Sequence, residues 1–355
     1  MDEGREFEEE VRKVARLLWP KDIGAGAVKI DGQERDGIFI SEECVHAIEC
    51  TISRSQQKAT DDGKKLSKVL PKIRRIFPDK AAKGWFVTKH EPTADQRSTI
   101  RSYGHDIAAV SYDVFRSKLI DAKHYLMSRK DYPFGSARDP ETGNADKRTN
   151  YVSMDLCDES GNLWSLDNIS SQLQNGRRLI LIGDYGAGKS TTLREIFFAL
   201  RSDYLNNRTY IFPILLNLRD HHGQRNAAEA LERHARNIGY PQPHHLVRAW
   251  RAGYAILLLD GFDELGSPGW TGIPKRLKDL RYQSMGLIRE FVADTPAYVG
   301  LIIAGRAHYF DHEKELRRSI GFQGEVNCLS LSDFTEDQVA AYLEKRGWKG
   351  EIPLW

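Results

Sequence analysis

Residues 183–190 read GDYGAGKS and match the pattern G-x-x-x-x-G-K-[S/T] at every fixed position. Residues 178–182, apolar from position 179 onward, predict a buried strand before this stretch, and residues 191–200 predict a helix after it. A glycine-rich turn between a strand and a helix surrounds phosphate oxygens with backbone N–H groups, whereas a chance turn would lack these flanking elements. Lys189 would then contact the β- and γ-phosphates, and Ser190 would ligate Mg²⁺. The residues expected at the nucleotide are Gly183, Gly186, Gly188, Lys189, Ser190 and Thr191.

A second motif follows an apolar run that ends in a carboxylate. Residues 255–259 are all apolar, Asp260 comes next, and residues 261–265 read GFDEL. A carboxylate at the carboxyl end of a central strand can hold the Mg²⁺ shell beside the phosphate loop. An acidic helix N-cap is the alternative, and it explains one carboxylate better than three. The small residue after Asp260 and the acidic pair two positions later resemble the NACHT branch of signalling ATPases. This resemblance implies that Asp260 binds the metal and that Asp263 and Glu264 belong to the metal shell and orient or activate the attacking water.

Other stretches resemble the NACHT pattern in the same order along the chain, over about residues 165–345. Residues 212–220 are similar to the strand after the phosphate-loop helix, and 329–339 are similar to the segment that closes the core sheet. Residues 301–306 look like the sensor strand, which implies that Arg306 contacts the γ-phosphate. Ala304, Gly305 and Ala307 stand where hydroxyls and a proline are common, so an ordinary surface arginine is the alternative. ATP as the nucleotide is implied by the family alone.

Composition excludes several classes of protein. The chain has 355 residues, a formal net charge of +2 and 40% hydrophobic residues, as expected for a globular α/β protein without a global commitment to nucleic acid. Its polar N-terminus does not resemble a signal peptide, and no apolar run approaches the roughly 20 residues that cross a bilayer. The four cysteines form no CxxC pair. We therefore expect a cytoplasmic protein that does not enter membranes.

The pattern of elements divides the chain. Residues 1–130 predict an α/β domain, 131–164 a linker and lead-in, and 165–345 a doubly wound parallel-sheet P-loop domain, while 346–355 would start a truncated further segment. NACHT proteins normally continue into lid and sensor domains. We therefore expect either that the native chain continues or that a partner supplies the lid.

The N-terminal region predicts the element order αββαβ(α)βα. A helix is expected at 5–18 and a hairpin from strands 37–40 and 45–52. The remaining predicted elements are a helix at 60–77, strands near 84–88 and 106–110, and a helix at 111–127. The compact α/β arrangement has an ordinary domain size.

Two carboxylates of this hairpin suggest a metal site. Pairing of the strands could bring Asp36 and Glu49 within reach of one Mg²⁺ or Mn²⁺, with the backbone carbonyl of Cys50 as a third ligand. Residues 4–8 (GREFE) resemble the opening of Mrr-like nucleases of the PD-(D/E)xK type, which implies a restriction-endonuclease-like fold and a supporting role for Glu8. The alternative is a turn aspartate and an ordinary strand glutamate.

One residue departs from the nuclease pattern. Thr51 stands where the family has its lysine, and threonine cannot stabilise charge on a phosphate. Related nucleases carry the basic residue on the next helix, where Lys58, Lys64 and Lys65 are candidates and Lys58 is preferred. Between positions 54 and 89 there are eleven basic and three acidic residues, which favours duplex DNA as a partner, although a solvated lysine-rich face is the common alternative.

Together the two motif sets resemble bacterial antiviral STAND proteins, in which an ATPase holds an effector idle until a foreign ligand triggers assembly. We therefore expect an ATP- and Mg²⁺-dependent switch that forms homo-oligomers on activation and controls a DNA endonuclease. An inactive nuclease fold that binds nucleic acid or a partner is one alternative, and a restriction-type DNA-dependent ATPase is another. The sequence does not indicate the activating ligand, the oligomer size or the cut-site preference.

Overall fold

The computed structural model describes residues 3–19, 21–22, 28–30, 33–137, 148–265, 274–324 and 326–348. Its contacts divide the chain into two units, Met1–Asp121 and Ala122–Trp355. The centre of the expected linker and residues 349–355 of the expected segment at 346–355 lie outside the described residues. No helix in the part of the chain that the structure describes is long and apolar enough to cross a membrane.

The first unit is built on a five-stranded mixed sheet in the order β1-β4-β5-β6-β7. Its helices are α1 (Glu3–Leu18), α2 (Gln56–Ile76), α3 (Ala94–Ser102) and α4 (Tyr112–Arg116). Its strands are β1 (Lys21–Asp22), β2 (Val28–Ile30), β3 (Gln33–Arg35), β4 (Gly37–Ile40), β5 (Cys44–Thr51), β6 (Ala81–Thr88) and β7 (Ile107–Ser111). Strands β4 and β5 form an antiparallel pair, whereas β5, β6 and β7 run parallel. The predicted hairpin is confirmed.

Helix α2 covers one face of this sheet. It begins where the Ser55 side chain accepts a hydrogen bond from the backbone N–H of Gln57, which satisfies one of the free donors of the first turn. Its apolar positions Leu66, Val69 and Ile73 recur at three- and four-residue spacing and are fully or almost fully buried against the sheet. The buried face of α2 therefore fixes which of its lysines can approach β5.

The predicted helix at 111–127 was wrong as one element. Helix α4 is followed by a 3₁₀ turn at Ser117–Leu119, and Ile120 is extended with φ −156°, which ends helical hydrogen bonding. Helix α5 (Ala122–Lys130) then belongs to the second unit. The apolar spacing continued across the break, which is why the sequence suggested a single helix.

The second unit contains a seven-stranded sheet in the order β11-β12-β13-β10-β14-β8-β9. Its strands are β8 (Leu156–Asp158), β9 (Leu163–Trp164), β10 (Arg178–Ile182), β11 (Phe212–Asn217), β12 (Ala255–Asp260), β13 (Leu301–Gly305) and β14 (Asn327–Leu331). After α5, its helices are α6 (Leu166–Gln174), α7 (Lys189–Leu205), α8 (Ala227–Asn237), α9 (Pro243–Arg251), α10 (Pro274–Ser284), α11 (Gly286–Asp294), α12 (Glu313–Ile320) and α13 (Glu336–Lys345). Five strands, β10, β11, β12, β13 and β14, run parallel, and the apolar runs predicted a parallel sheet here.

The sheet is not wholly parallel, because β8 and β9 add an antiparallel edge. Both strands come from the region expected to be linker and lead-in. Leu156 is buried and pairs with Leu331, so this stretch has a sheet partner even though it is too short to show an apolar period. In the structure, residues 148–164 are therefore part of the second unit.

Helix α5 also packs within the second unit rather than the first. Its Tyr125 hydroxyl lies 3.0 Å from His234 Nε2, and Arg129 Nε donates to the Leu215 carbonyl at 2.9 Å. Both side chains are fully buried. The division between the units consequently falls at Asp121–Ala122, nine residues before the position that the sequence suggested.

Candidate functional site

The phosphate loop lies between β10 and α7, as predicted. Gly186 and Gly188 have φ values of +78° and +90°, a region that side chains other than glycine rarely adopt. A Cβ at Gly188 would lie 2.4 Å from Met154 Sδ, whereas a Cβ at Gly186 would meet nothing within 4 Å. The loop therefore needs both glycines for its path, and the space above Gly186 is open to a ligand.

Lys189 and Ser190 stand on the first turn of α7. Lys189 Nζ donates to the carbonyls of Gly183 and Asp184 at 2.8 and 2.7 Å, so the ammonium lies over the loop. Burial, together with nearby Arg306, lowers the pKa of Lys189. Thr191 follows on the same turn and is half-buried.

The Ser190 hydroxyl and the Asp260 carboxylate form the metal-binding side of the site. Both side chains are largely buried, and both lie against Gly135. Burial raises the pKa of Asp260 to about 6, and the charges of Glu264 and Asp263 add to the rise. A hydroxyl and a carboxylate are ligands that Mg²⁺ prefers, and a bound cation would favour the ionised carboxylate. These residues therefore fit the Mg²⁺ that a P-loop requires.

The two acidic residues after Asp260 each meet an arginine. Arg306 Nε lies 2.9 Å from Asp263 Oδ2, and the Arg306 backbone N–H donates to Asp263 Oδ1. Glu264 lies 3.2 Å from Arg219 Nε. Burial raises the pKa of Glu264, while Arg219 opposes that rise. The structure thus places Arg306 at the acidic pair, and Arg219 is a second basic residue there that the sequence analysis did not single out.

The unusual glycine of the sensor strand has a steric reason. A Cβ at Gly305 would lie 2.4 Å from the ring of Phe262, which is fully buried. Phe262 is the residue between Gly261 and Asp263 in the acidic motif. The Phe262 ring of the acidic motif therefore requires glycine at position 305 of the sensor strand.

Residues to which the sequence assigned no role also reach this site. Asn217 at the end of β11 is the register partner of Asp260, and Gly135 and Ser136 lie against Asp260 and Ser190. A polar residue at the end of a strand next to Asp260 was a signal for Asn217. Gly135 and Ser136 gave none, because they lie in a stretch without periodicity.

The hairpin of the first unit brings the two predicted carboxylates together. Gly37 pairs with Ile48, so Asp36 and Glu49 are the next opposing positions, and Asp36 Oδ2 accepts the backbone N–H of Cys50 at 2.7 Å. Glu49 is 1% exposed. Burial first, and then the charge of Asp36, raise the pKa of Glu49 to about 8. The strand pairing therefore places the carboxylates within electrostatic reach of each other.

Glu8 of α1 joins the same group. Arg12 donates to Glu8 at 3.2 Å and, through its Nε, to the Asp36 carbonyl at 2.6 Å. Burial and the charge of Asp36 raise the pKa of Glu8. Arg12, which the sequence analysis did not single out, thereby connects α1 to the start of β4.

The basic residue nearest Glu49 is Lys65 and not the preferred Lys58. Lys65 Nζ lies 3.0 Å from Glu49 Oε2 and 3.1 Å from Asp62 Oδ1, whereas Lys58 contacts Asp62 Oδ1 at 3.1 Å. Burial alone would lower the pKa of Lys65, but Glu49 and Asp62 together raise it. Lys64 is exposed, and Thr51 is buried at the family's usual lysine position.

The metal-binding capacity of this carboxylate group is limited to few side chains. Among the described residues, no group of three or more His, Cys, Asp or Glu side chains could hold a metal ion. Burial raises the pKa of the Cys50 thiol well above its usual value, which disfavours the thiolate as a metal ligand. The backbone carbonyl oxygen of Cys50 is the group of this residue that suits a Mg²⁺ ion. The predicted set of Asp36, Glu49 and this carbonyl includes two side chains and falls short of such a group.

Residues 177–348 match the model of the NACHT domain. The solved structure of the Orc1 protein of Aeropyrum pernix in complex with DNA is similar to 51% of this chain, at 19% identity and a TM-score of 0.34. The match spans 48% of that protein, about half of its length. A comparison with curated proteins gave no match.

Proposed function

With residues 177–348 matched as a NACHT domain, a P-loop NTPase, we propose that this domain is an ATP- and Mg²⁺-dependent switch that controls a DNA endonuclease in the N-terminal unit. The observation that carries the first part is the convergence of Lys189, Ser190 and Asp260 at one edge of the sheet. The second part rests on the opposed carboxylates of the hairpin and on the lysine beside them.

The proposed role of each nucleotide-site residue follows from its position. Mg²⁺, when bound, would neutralise charge on the β- and γ-phosphates. Lys189 would leave the loop carbonyls for the phosphates, and Ser190 and Asp260 would hold the metal. Asp263 or Glu264 would orient the attacking water, and Arg306 would exchange its contact with Asp263 for the γ-phosphate. Both acidic residues are ion-paired with arginines, which supports slow turnover and a switch rather than a motor.

In the N-terminal unit, Asp36, Glu49 and the Cys50 carbonyl would hold Mg²⁺ or Mn²⁺. The metal would supply an activated water for attack on a phosphodiester. Lys65 is proposed to take the place of the lysine absent at position 51, because its ammonium contacts Glu49 directly. Glu8 would support the site through Arg12.

The partners follow from the proposed activity. Exposed basic residues on and after α2, among them Lys64, Lys68 and Arg75, would hold the backbone of duplex DNA. Nucleotide-dependent assembly into homo-oligomers would bring several nuclease units together. An antiviral role and an unidentified activating ligand complete the proposal, on the resemblance to STAND proteins alone.

A plasmid-cleavage assay tests the proposal. The wild type is incubated with Mg²⁺ or Mn²⁺ and ATP beside Glu49→Ala, Asp36→Ala and Lys189→Ala. We expect cleavage by the wild type, none by the two carboxylate variants, and altered nucleotide dependence in Lys189→Ala. If the wild type and both carboxylate variants cleave at the same rate, Asp36 and Glu49 do not catalyse cleavage and the proposed endonuclease is contradicted.

A second candidate is an inactive nuclease fold that binds nucleic acid. Buried Thr51 at the lysine position favours it, as does the small number of metal-binding side chains. DNA binding without cleavage, unchanged in Glu49→Ala, would support this candidate over the endonuclease.

A further inference from the structure

Residues 132–137, here called the strap, run across the carboxyl ends of β11 and β12. The Asn217 side chain holds the strap from both sides, since its Oδ1 accepts the Gly135 N–H at 2.9 Å and its Nδ2 donates to the Pro133 carbonyl at 3.0 Å. Tyr132 donates its hydroxyl to Asp220 at 3.3 Å. The end of β11 therefore fixes the height of the strap above the sheet.

Side-chain packing holds the strap on its other side. Phe134 is 8% exposed, with its ring centroid 5.5 and 5.6 Å from those of Phe197 and Phe198 on α7. The guanidinium of fully buried Arg129 lies 4.1 Å from the Phe134 ring centroid and donates to the Tyr132 carbonyl. These contacts connect the strap to the phosphate-loop helix and to α5.

The strap ends on the two residues that would bind Mg²⁺. Ser136 approaches Ser190 Oγ with its backbone N at 3.4 Å and its hydroxyl at 3.1 Å. Gly135 has φ +49°, and a Cβ there would lie 2.0 Å from Asp260 Oδ2 and 2.8 Å from Ser190 Oγ. The glycine backbone is thus in close contact with both metal-binding groups, and a larger residue would not fit.

This contact conflicts with a bound metal. The Ser136 backbone N–H donates to Ser190 Oγ at 3.4 Å, so lone-pair density of that hydroxyl faces the strap. Mg²⁺ would need one of those lone pairs and near-octahedral space for ligands at about 2.1 Å, including water molecules. With the Gly135 backbone packed this closely against Asp260 Oδ2 and Ser190 Oγ, little space is left for that shell.

We propose that the strap is an autoinhibitory element that closes the Mg²⁺ position between Ser190 and Asp260 and is displaced when Mg²⁺ and nucleotide bind. This inference rests on the proposed nucleotide site and adds its regulation. The strap follows α5 directly in the chain, so its displacement changes the segment at the start of the second unit. Nucleotide binding is thereby linked to a local conformational change.

Binding of a fluorescent ATP analogue tests the competition without requiring hydrolysis. Ser136→Ala removes hydroxyl contact with Ser190 and is expected to tighten binding about two- to tenfold in Mg²⁺, the worth of one net hydrogen bond, and less in EDTA. Gly135→Ala cannot keep the strap in place and is expected to tighten binding at least as much. Gly161→Ala is the matched control, because Gly161 has φ +80° and nothing within 4 Å of its Cβ position. Its affinity should equal that of the wild type.

Hydrogen exchange of the strap gives a second, independent measurement. The Gly135 and Ser136 amides donate to Asn217 and Ser190, so Mg²⁺ with the ATP analogue should speed their exchange. Two results would contradict the autoinhibitory role of the strap: slower exchange of these amides on binding, or affinities of both strap variants equal to or below that of the wild type. Neither result would contradict a Lys189-dependent nucleotide site. Absence of Lys189-dependent binding in every variant would overturn the nucleotide site and the strap together.

Discussion

Replacing Lys65 by glutamine should slow DNA cleavage about 10²-fold without abolishing DNA binding. The ammonium lies 3.0 Å from Glu49 Oε2. With metal–oxygen distances of about 2 Å on either side of a bound cation, it would be about 5 Å from a metal-bound phosphate oxygen. At an effective dielectric constant of about 20, one unit charge at that distance contributes about 3 kcal/mol, or about two orders of magnitude in rate. Glutamine removes the charge and keeps an N–H donor, on a side chain that is one bond shorter.

Lys64→Gln is the matched control for this experiment. Lys64 is the exposed neighbour of Lys65, and its replacement removes the same charge from the same helix. Each variant should reduce the salt dependence of DNA binding by about 0.9 in log–log slope if its lysine contacts one phosphate. Single-turnover cleavage at saturating enzyme separates binding from the chemical step.

The expected order of cleavage rates is wild type, Lys64→Gln, then Lys65→Gln at about 10² lower. Lys58→Gln should lose less activity than Lys65→Gln, because Lys58 contacts Asp62 at 3.1 Å while Lys65 contacts Glu49 as well. Thermal unfolding of each variant controls for folding. Equal losses in Lys64→Gln and Lys65→Gln, or near wild-type cleavage by Lys65→Gln, would refute the assignment.

Four further variants address the protein's stability and the nucleotide site. Burial, and then the charge of Lys83, lower the pKa of His46 to about 4, so its contribution to stability is present above about pH 6.5 and lost as the pH falls toward 4. Raised carboxyl pKa values such as that of Glu49 act in the opposite direction over this range, so the test is the difference between two proteins. From pH 7 to pH 5, the change in the urea-unfolding free energy of the wild type should be about 2 kcal/mol less favourable than that of His46→Asn, and an equal change in both would argue against this origin. Arg306→Ala should slow ATP turnover about 10²-fold while nucleotide binding is retained. Unchanged turnover would show that Arg306 is an ordinary surface arginine with no part in hydrolysis. Arg219→Ala should raise the pKa of Glu264 and move the acidic limb of the pH–rate profile for ATP turnover to higher pH. An unchanged profile would show that the ionisation of Glu264 does not control the turnover rate. Gly305→Ala should destabilise the second unit by about 1–3 kcal/mol through collision with a buried ring, and a wild-type melting temperature would contradict that packing.

The local motifs were predictable because their chemistry is contiguous in the sequence. Residues 183–190 specify their own turn, and the flanking apolar runs specify the strand and helix, all of which the structure confirms. The NACHT resemblance is confirmed by the match at 177–348. The opposition of Asp36 and Glu49 followed from the hairpin register, because a short turn leaves few alternatives.

The features that the sequence missed depend on contacts between distant residues. Lys58 and Lys65 are seven residues apart, about two helical turns, so they share a face of α2 and only the packing of α2 on β5 decides between them. The strap has no apolar period, and its partners at Ser190 and Asn217 are 54 and 82 residues away. Arg219 reaches Glu264 only because β11 and β12 are neighbours in the sheet.

Steady-state ATP turnover with and without duplex DNA, measured for the wild type and for Lys189→Ala, tests the switch most directly. The proposed site predicts slow turnover in Mg²⁺ that is lost in Lys189→Ala and is the same with DNA present. Fast turnover that DNA stimulates, or turnover that survives in Lys189→Ala, would contradict a nucleotide switch at this phosphate loop.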